Sequence, residues 1–155
     1  MTKPEKSIRL FEEGFNCAQS VLFPYGEEFF KESAYALKIA TGFGAGISYR
    51  GEMCGAVSGA LMVIGLHYGS SDLNSDKPKE RTVKISKEFI EAFESINGSV
   101  ICNQLLKTEI NTPEGLEYAR QNGLFKKTCP YLVESGAKIL EELLQKYPVN
   151  NLNNE

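Results

Sequence analysis

The stretch Gly51–Gly69, with the sequence GEMCGAVSGALMVIGLHYG, decides the fold. Its segment 56–66 is almost wholly apolar, a pattern typical of a helix buried in a protein core. Glycines interrupt this pattern, although each one costs a helix about 1 kcal/mol relative to alanine. They recur every fourth residue and would share one helix face; they are Gly51, Gly55 and Gly59.

A helix face without side chains lets a second backbone or a flat cofactor come close. We favour close helix packing for this face, and the alternative is cofactor binding at Gly51, Gly55 and Gly59. Both interpretations need a central, buried helix, which we expect over residues 52–67. Cys54 would lie in the first turn of this helix, and its glycine neighbours would leave the sulfur open to a confined space.

The rest of the chain repeats its apolar residues at the helical period, and no segment shows the alternation of a convincing strand. We therefore predict an all-α protein, a single compact helical bundle of about five main helices around the glycine-rich helix. A chain of 155 residues is long enough for one domain with a real core. Residues 1–148 should form that domain, and residues 149–155 should be a disordered tail. The segment 41–51, TGFGAGISYRG, predicts a tight connection.

The composition excludes two classes of partner. The chain has 17 basic and 20 acidic residues and a net charge of −3, with no basic stripe for nucleic acid. Its longest apolar run is about half of the roughly 20 residues that cross a membrane. The charged N-terminal residues lack the apolar core of a secretory signal. We expect no nucleic-acid partner, no membrane insertion and a cytoplasmic location, where thiols tend to stay reduced.

The four cysteines fall within about one turn of a predicted helix start. Asn16 should cap a helix, with Gln19 three residues later completing a capping box. Ser99 is the expected cap of a short helix, and Pro130 is typical of a first helical position. The cysteines placed at helix starts in this way are Cys17, Cys54, Cys102 and Cys129.

A helix start favours the ionised form of a cysteine. Unpaired amides and the helix dipole place about +0.5 charge there. This charge lowers the pKa of a thiol by less than about one unit. The resulting thiolate is both a nucleophile and a metal ligand. The alternative is that four small apolar side chains merely pack near helix ends.

The spacing of the cysteines excludes two common motifs. No CxxC pair is present, so neither a zinc knuckle nor a thioredoxin-type motif fits the chain. If the sulfurs meet, separate helices must bring them together. Four thiolates in one buried site would repel each other strongly. A cluster of these cysteines must therefore carry protons, form disulfides or bind a cation.

The segments NCAQSVL, KIATGFGAGI, RGEMCGAVSGALMVIGLHYG, ICNQLL and TCPYLV together resemble the C_GCAxxG_C_C family, whose members are described as redox-active. The similarity extends over about residues 11–144, and the family's four cysteines match Cys17, Cys54, Cys102 and Cys129. The resemblance implies redox activity and a functional link to a transporter, but no particular reaction. The family also resembles the C-terminal part of split-Soret cytochromes, which carry haem and an iron–sulfur cluster. This chain lacks the CxxCH haem motif, so of these two cofactors the resemblance implies only the iron–sulfur cluster for it.

Three functions stay open, in this order. The first is a thiol-dependent oxidoreductase that uses its clustered cysteines for thiol–disulfide chemistry with a redox partner or a small molecule. The second is an iron–sulfur or other metal protein, whose ligands would be the same four cysteines. The third is a non-catalytic helical module that binds a partner while its cysteines pack. A homodimer is compatible with each of them.

Within the first function, we expect Cys54 to react first, with a pKa below that of a free thiol. Its position at a helix start and its bare flanking glycines both favour this role. Cys17 is the expected resolving partner. Pro130 removes a backbone donor beside Cys129, and an apolar neighbour should raise the pKa of Cys102.

Overall fold

The computed structural model describes residues 1–149, and within them the chain forms eight α-helices. The predicted tail, residues 149–155, lies outside the described residues except for Val149, so it stays a prediction. Short 3-10 turns follow α2 and α3. The helices are α1 (Lys3–Glu12), α2 (Cys17–Gly26), α3 (Ala34–Ile39), α4 (Gly55–Tyr68), α5 (Lys77–Asn97), α6 (Cys102–Leu106), α7 (Pro113–Gln121) and α8 (Leu124–Lys146).

The all-α prediction is confirmed. Five helices have 10 or more residues, namely α1, α2, α4, α5 and α8, and the described residues contain no strand. Within these residues an isolated antiparallel bridge joins Met53 and Ile101. Across residues 1–149, no helix has both the length and the apolar character that a membrane span requires.

The glycine-rich helix lies at the centre, as predicted. Its apolar side chains are buried on nearly all sides, and it packs against α2, α5 and α8. It begins at Gly55 and not at residue 52, because Cys54 has an extended backbone and occupies the N-cap position. Gly51 has a φ of 70° and lies outside the helix. The expected stripe of three glycines on one helix face therefore reduces to Gly55 and Gly59.

The long helix α5 covers the centre with a narrower face than the sequence pattern suggests. Ile85, Phe89 and Phe93 are fully buried at a spacing of four residues. Val83 and Ile96, on the same helix, are 45% and 67% exposed. Val83 is rotated about 120° from the middle of the buried face on a helix of 3.6 residues per turn. Ile96 lies on the buried face but in the last turn of the helix, which ends at Asn97.

The last helix, α8, begins at Leu124. This is five residues before Cys129, where Pro130 led us to expect the start. Gly123, with a φ of 62°, precedes its first turn. Pro130 lies inside the helix, where it forfeits one backbone hydrogen bond. The buried face of α8 continues through this position from Cys129 to Leu143, and its packing outweighs that loss. At its far side, α8 packs against α1.

The connection before α4 contains a left-handed turn. Residues 45–49 all have a positive φ, with values between 49° and 65°. Only Gly46 among them lacks a side chain, and a left-handed conformation costs other residues about 1–2 kcal/mol each. The turn is closed by a hydrogen bond from the Arg50 N–H to the Ile47 carbonyl (3.0 Å) and another from the Glu52 N–H to the Gly46 carbonyl (2.9 Å).

Candidate functional site

One cavity brings the four cysteines together, as the sequence analysis required for any joint chemistry. The cavity has a volume of about 880 Å³, and all four thiol-bearing residues line it. Each cysteine is buried, with at most 7% of its surface exposed. Four different elements supply them, since Cys17 begins α2, Cys54 caps α4, Cys102 begins α6 and Cys129 lies in α8.

The capping box at the start of α2 is confirmed and fixes the position of Cys17. The Gln19 N–H donates to the Asn16 side chain (2.9 Å), and the Asn16 N–H donates to the Gln19 side chain (2.9 Å). The Asn16 amide also donates to the carbonyl of Thr41 at 3.0 Å. One residue therefore caps α2 and anchors the chain that leads into the left-handed turn.

A short antiparallel contact holds Cys54 and Cys102 side by side. The Cys54 N–H donates to the Val100 carbonyl (2.8 Å), and the Cys102 N–H donates to the Glu52 carbonyl (2.6 Å). Ser99, which we expected to cap α6, instead accepts a hydrogen bond from the Ile101 N–H (2.9 Å). Ile101 occupies the cap position because the contact with Met53 keeps its backbone extended.

Cys129 does not lie at a helix start. It is the sixth residue of α8, since that helix begins at Leu124. The prediction that all four cysteines occupy helix starts is therefore correct for three and wrong for this one. The prediction of a helix start at Pro130 was wrong, because the local sequence around a proline does not distinguish a first helical position from a position inside a helix.

The glycines near the site make room for its cysteines. A Cβ atom on Gly55 would lie 3.0 Å from the Cβ of Cys17, and one on Gly46 would lie 2.6 Å from the Cβ of Cys102. On Gly59 it would lie 2.5 Å from the Ala18 carbonyl oxygen, so that face closes on the backbone of α2. A Cβ on Gly51 would overlap the Asn103 side chain. These contacts support close packing, and cofactor binding at Gly51, Gly55 and Gly59 stays a prediction.

Several parts of the site had no signal in the sequence. The left-handed turn borders the cavity through Ala45, Gly46, Ser48 and Tyr49. Ala, Ile and Tyr favour other backbone regions, so their identity gave no indication of this turn. Aromatic and basic residues from distant segments complete the lining of the cavity. In the sequence nothing distinguishes them from other core or surface residues. They include Phe11, Phe15, Arg120, Phe125 and Lys126.

Burial raises the pKa of two of the thiols. The pKa of Cys54 rises to about 11, because desolvation outweighs the hydrogen bonds that the backbone N–H groups of Ala56 and Val57 offer its sulfur. The pKa of Cys102 rises to about 12 through burial and the nearby thiol of Cys54. Our expectation of a lowered pKa at Cys54 is therefore wrong, and the expected direction at Cys102 is confirmed.

The remaining two thiols act on each other. A hydrogen bond from the Cys17 thiol lowers the pKa of Cys129. The same interaction, together with burial, raises the pKa of Cys17 well above its ordinary value. The interaction favours ionisation of Cys129 over ionisation of Cys17.

All four thiols are free in the structure. Within residues 1–149, no group of three or more His, Cys, Asp or Glu side chains is arranged so that it could hold a metal ion. The geometry thus defines an all-α protein with four reduced cysteines around one buried cavity. The order of these cysteines and the glycines between them place the chain in a family.

A family model described as "Putative redox-active protein (C_GCAxxG_C_C)" matches residues 15–143. The chain therefore belongs to the C_GCAxxG_C_C family. A search of the curated proteins found no match, and neither did a search of the solved structures. The matched range contains all four cysteines and the whole of the central helix α4.

Proposed function

We propose that this protein is a thiol-dependent oxidoreductase that performs thiol–disulfide exchange inside its cavity, with Cys17 and Cys129 as the redox pair. The observation that carries the proposal is the interaction between these two thiols at the wall of a shared cavity. It replaces the pair of Cys54 and Cys17 that the sequence favoured. The family's description as redox-active supports the same class of chemistry.

Cys129 is the proposed nucleophile, because the thiolate and not the thiol attacks a disulfide. The hydrogen bond from Cys17 stabilises that thiolate and lowers the pKa of Cys129. Cys17 keeps its proton until the first step is complete, since its own pKa is raised. The order of the two steps follows from this difference.

The exchange balances without any further reagent. The Cys129 thiolate attacks one sulfur of a substrate disulfide, the S–S bond of the substrate breaks, and its other sulfur leaves as a thiolate. Cys17 then gives its proton to that leaving thiolate and attacks the Cys129 sulfur of the mixed disulfide. A Cys17–Cys129 disulfide forms, and the second substrate sulfur leaves as a thiolate. Two protein thiols are oxidised, and one substrate disulfide is reduced.

Cys54 and Cys102 belong to the proposed site as thiols that stay protonated during this exchange. Their raised pKa values keep them neutral at ordinary pH. Neutral thiols beside the Cys129 thiolate avoid the repulsion that further negative charges would cause. The proposal implies a reducing compartment such as the cytoplasm, where all four thiols persist between turnovers.

The test is the identity of the disulfide that forms. Reduced protein is exposed without oxygen to a small disulfide, quenched with acid and alkylating reagent, and mapped by mass spectrometry. We expect a Cys17–Cys129 disulfide and its loss in Cys17→Ser. Cys102→Ser is the matched control and should retain the disulfide. The absence of a Cys17–Cys129 disulfide, or a disulfide between two other cysteines in its place, would overturn the assignment.

An iron–sulfur cluster is the second candidate, because four cysteines line one cavity. Within residues 1–149 these side chains form no group that could hold a metal ion as they are placed, so they would have to move closer together to bind a cluster. Cys17, Cys54, Cys102 and Cys129 would be its ligands, and a bound cluster would supply one-electron transfer. Protein purified without oxygen should then contain iron and sulfide in fixed proportion, and each Cys→Ser substitution should lower both. Protein that contains neither and forms no disulfide would instead fit the non-catalytic partner-binding module.

A further inference from the structure

The cavity is large enough for a small molecule but closed to a protein. Its volume of about 880 Å³ lies within the range of roughly 300–1,000 Å³ that small-molecule sites occupy. None of the four thiol-bearing residues is more than 7% exposed. Because so little of each cysteine is exposed, a disulfide held in a folded protein has poorer access to the Cys129 sulfur than a small molecule that enters the cavity. The thiols are therefore accessible only to a reagent that enters the cavity.

The walls of the cavity are largely aromatic and aliphatic. Phe11 and Phe15 contribute from the end of α1 and the segment after it, and Leu105 and Leu106 contribute from α6. Phe125 lies on the first turn of α8, with its ring edge-to-face with that of Tyr49 at a centroid distance of 6.5 Å. Such walls favour the apolar body of a ligand over a peptide-like polar one.

Charged side chains lie where the cavity meets solvent. Arg120 at the end of α7 and Lys126 at the start of α8 line it and are exposed, as is Glu12 on α1. Neither cation forms an ion pair with an acidic side chain among residues 1–149. The Arg120 guanidinium lies 5.9 Å from the centroid of the Tyr49 ring. Two positive charges therefore face one negative charge at the opening.

The interior of the cavity adds further positive charge to that of the side chains at the opening. The N-terminal ends of α2 and α4 reach the cavity through Cys17 and Gly55. These helices have 10 and 14 residues, and each contributes about half a positive charge at its start. An anionic group that enters past Arg120 and Lys126 thus meets favourable charge along its path.

From these features we infer that the substrate disulfide is a low-molecular-weight compound with an apolar body and a carboxylate or similar anion. The inference rests on the proposed function, because it names what the Cys17–Cys129 pair reduces. The apolar body occupies the space between the aromatic walls, and the anion lies near Arg120 and Lys126. Protein disulfides are disfavoured, because the thiols lie below the protein surface.

Two aromatic disulfides, one anionic and one neutral, test the inference. Dithiobis-nitrobenzoate carries carboxylates, whereas dithiodipyridine is neutral near pH 7, and both release a coloured thiol. The measurement is the ratio of their second-order rate constants with the fully reduced protein. Arg120→Met and Lys126→Met should each lower this ratio roughly two- to fivefold, the effect of losing one exposed charge interaction. The rate with dithiodipyridine should change less than the rate with dithiobis-nitrobenzoate, because dithiodipyridine has no carboxylate to lose its partner.

Matched variants separate a local effect from a general one. Lys127→Met removes the neighbouring exposed charge, which does not line the cavity, and should leave the ratio unchanged. Glu12→Gln removes the one acidic side chain at the opening and should raise the ratio. A ratio that is the same in wild type, Arg120→Met and Lys126→Met would overturn the inference. So would reduction of a folded protein disulfide at a rate comparable to that of either probe.

The outcomes distinguish this inference from the proposed function. If neither probe yields a Cys17–Cys129 disulfide, the proposed function itself fails. If both probes yield the Cys17–Cys129 disulfide but the ratio of rate constants is the same in wild type and in the charge variants, the exchange chemistry stands and the inferred substrate class is wrong. Circular dichroism of each variant verifies that its helices are intact before the rates are compared.

Discussion

At the scale of single residues, the approach of α2 to α4 depends on the absence of side chains. Gly59 lies against the Ala18 backbone, and Gly55 lies against Cys17. These contacts hold the start of α2 beside the start of α4, which brings Cys17 to the cavity that Cys54 also lines. The same helix offers an internal comparison, because Gly65 has no neighbour within 4 Å of an added Cβ.

We expect opposite effects from the same substitution at these two positions of α4. Gly59→Ala should lower the free energy of unfolding by about 1–3 kcal/mol, because the new methyl group would lie 2.5 Å from the Ala18 carbonyl oxygen. Gly65→Ala should raise it by up to about 1 kcal/mol through helix propensity. Urea denaturation midpoints measure both. Equal shifts in the two variants would show that α2 and α4 do not pack as described.

At the scale of elements, the left-handed turn forms a substantial part of the wall of the site. It presents Ala45, Ser48 and Tyr49 to the cavity and brings Gly46 against Cys102. The Ser48 hydroxyl donates to the Gly42 carbonyl (2.9 Å) and ties the turn to the chain before it. Residues in such sparsely populated backbone regions persist only where their surroundings hold them.

Two substitutions in this turn should change stability in opposite directions. Ile47 is branched at Cβ and has a φ of 65°, so Ile47→Gly should stabilise the protein by about 1 kcal/mol. Gly46→Ala should destabilise it, because a Cβ there would lie 2.6 Å from the Glu52 nitrogen and the Cys102 Cβ. Thermal unfolding of both variants is the measurement. A loss of stability in Ile47→Gly would mean that packing of the Ile47 side chain outweighs the backbone strain.

The elements also differ in how far the sequence could predict them. The capping box of Asn16 and Gln19 is local, and its hydrogen bonds formed as the spacing predicted. The start of α8 was wrong by five residues, because only tertiary packing decides whether Pro130 begins a helix or interrupts one. The pKa order of the cysteines was wrong for a related reason. Burial and the partner of each thiol are tertiary properties that flanking residues do not report.

At the scale of the whole molecule, four buried thiols make stability depend on pH. In the folded protein the pKa of Cys54 is about 11 and that of Cys102 about 12, both above the ~8.5 of an exposed thiol. Below about pH 8 these thiols are protonated in the folded and the unfolded chain alike, so their contribution to the free energy of unfolding is fully present. Above that pH the unfolded chain loses its thiol protons first, which favours unfolding.

The free energy of unfolding should therefore fall as pH rises from about 8.5 toward 11, by up to about 1.4 kcal/mol per pH unit for each thiol. Urea denaturation of reduced protein without oxygen measures this slope. The double variant Cys54→Ala/Cys102→Ala should show a shallower slope over the same range. If wild type and double variant lose stability in parallel, other groups cause the alkaline loss.

The packing of α1 against α8 sets the order in which a newly made chain can mature. A ribosome delivers Cys17, Cys54 and Cys102 well before α8, which carries Cys129 and covers α1. Until α8 emerges, the nascent chain lacks one side of its core, and three thiols are exposed to oxidants that in the folded protein can reach them only through the cavity. Premature disulfides at this stage would trap the chain before it closes. The vulnerable period of this protein is thus its synthesis, and we expect its yield to depend on the reducing power of the compartment that makes it.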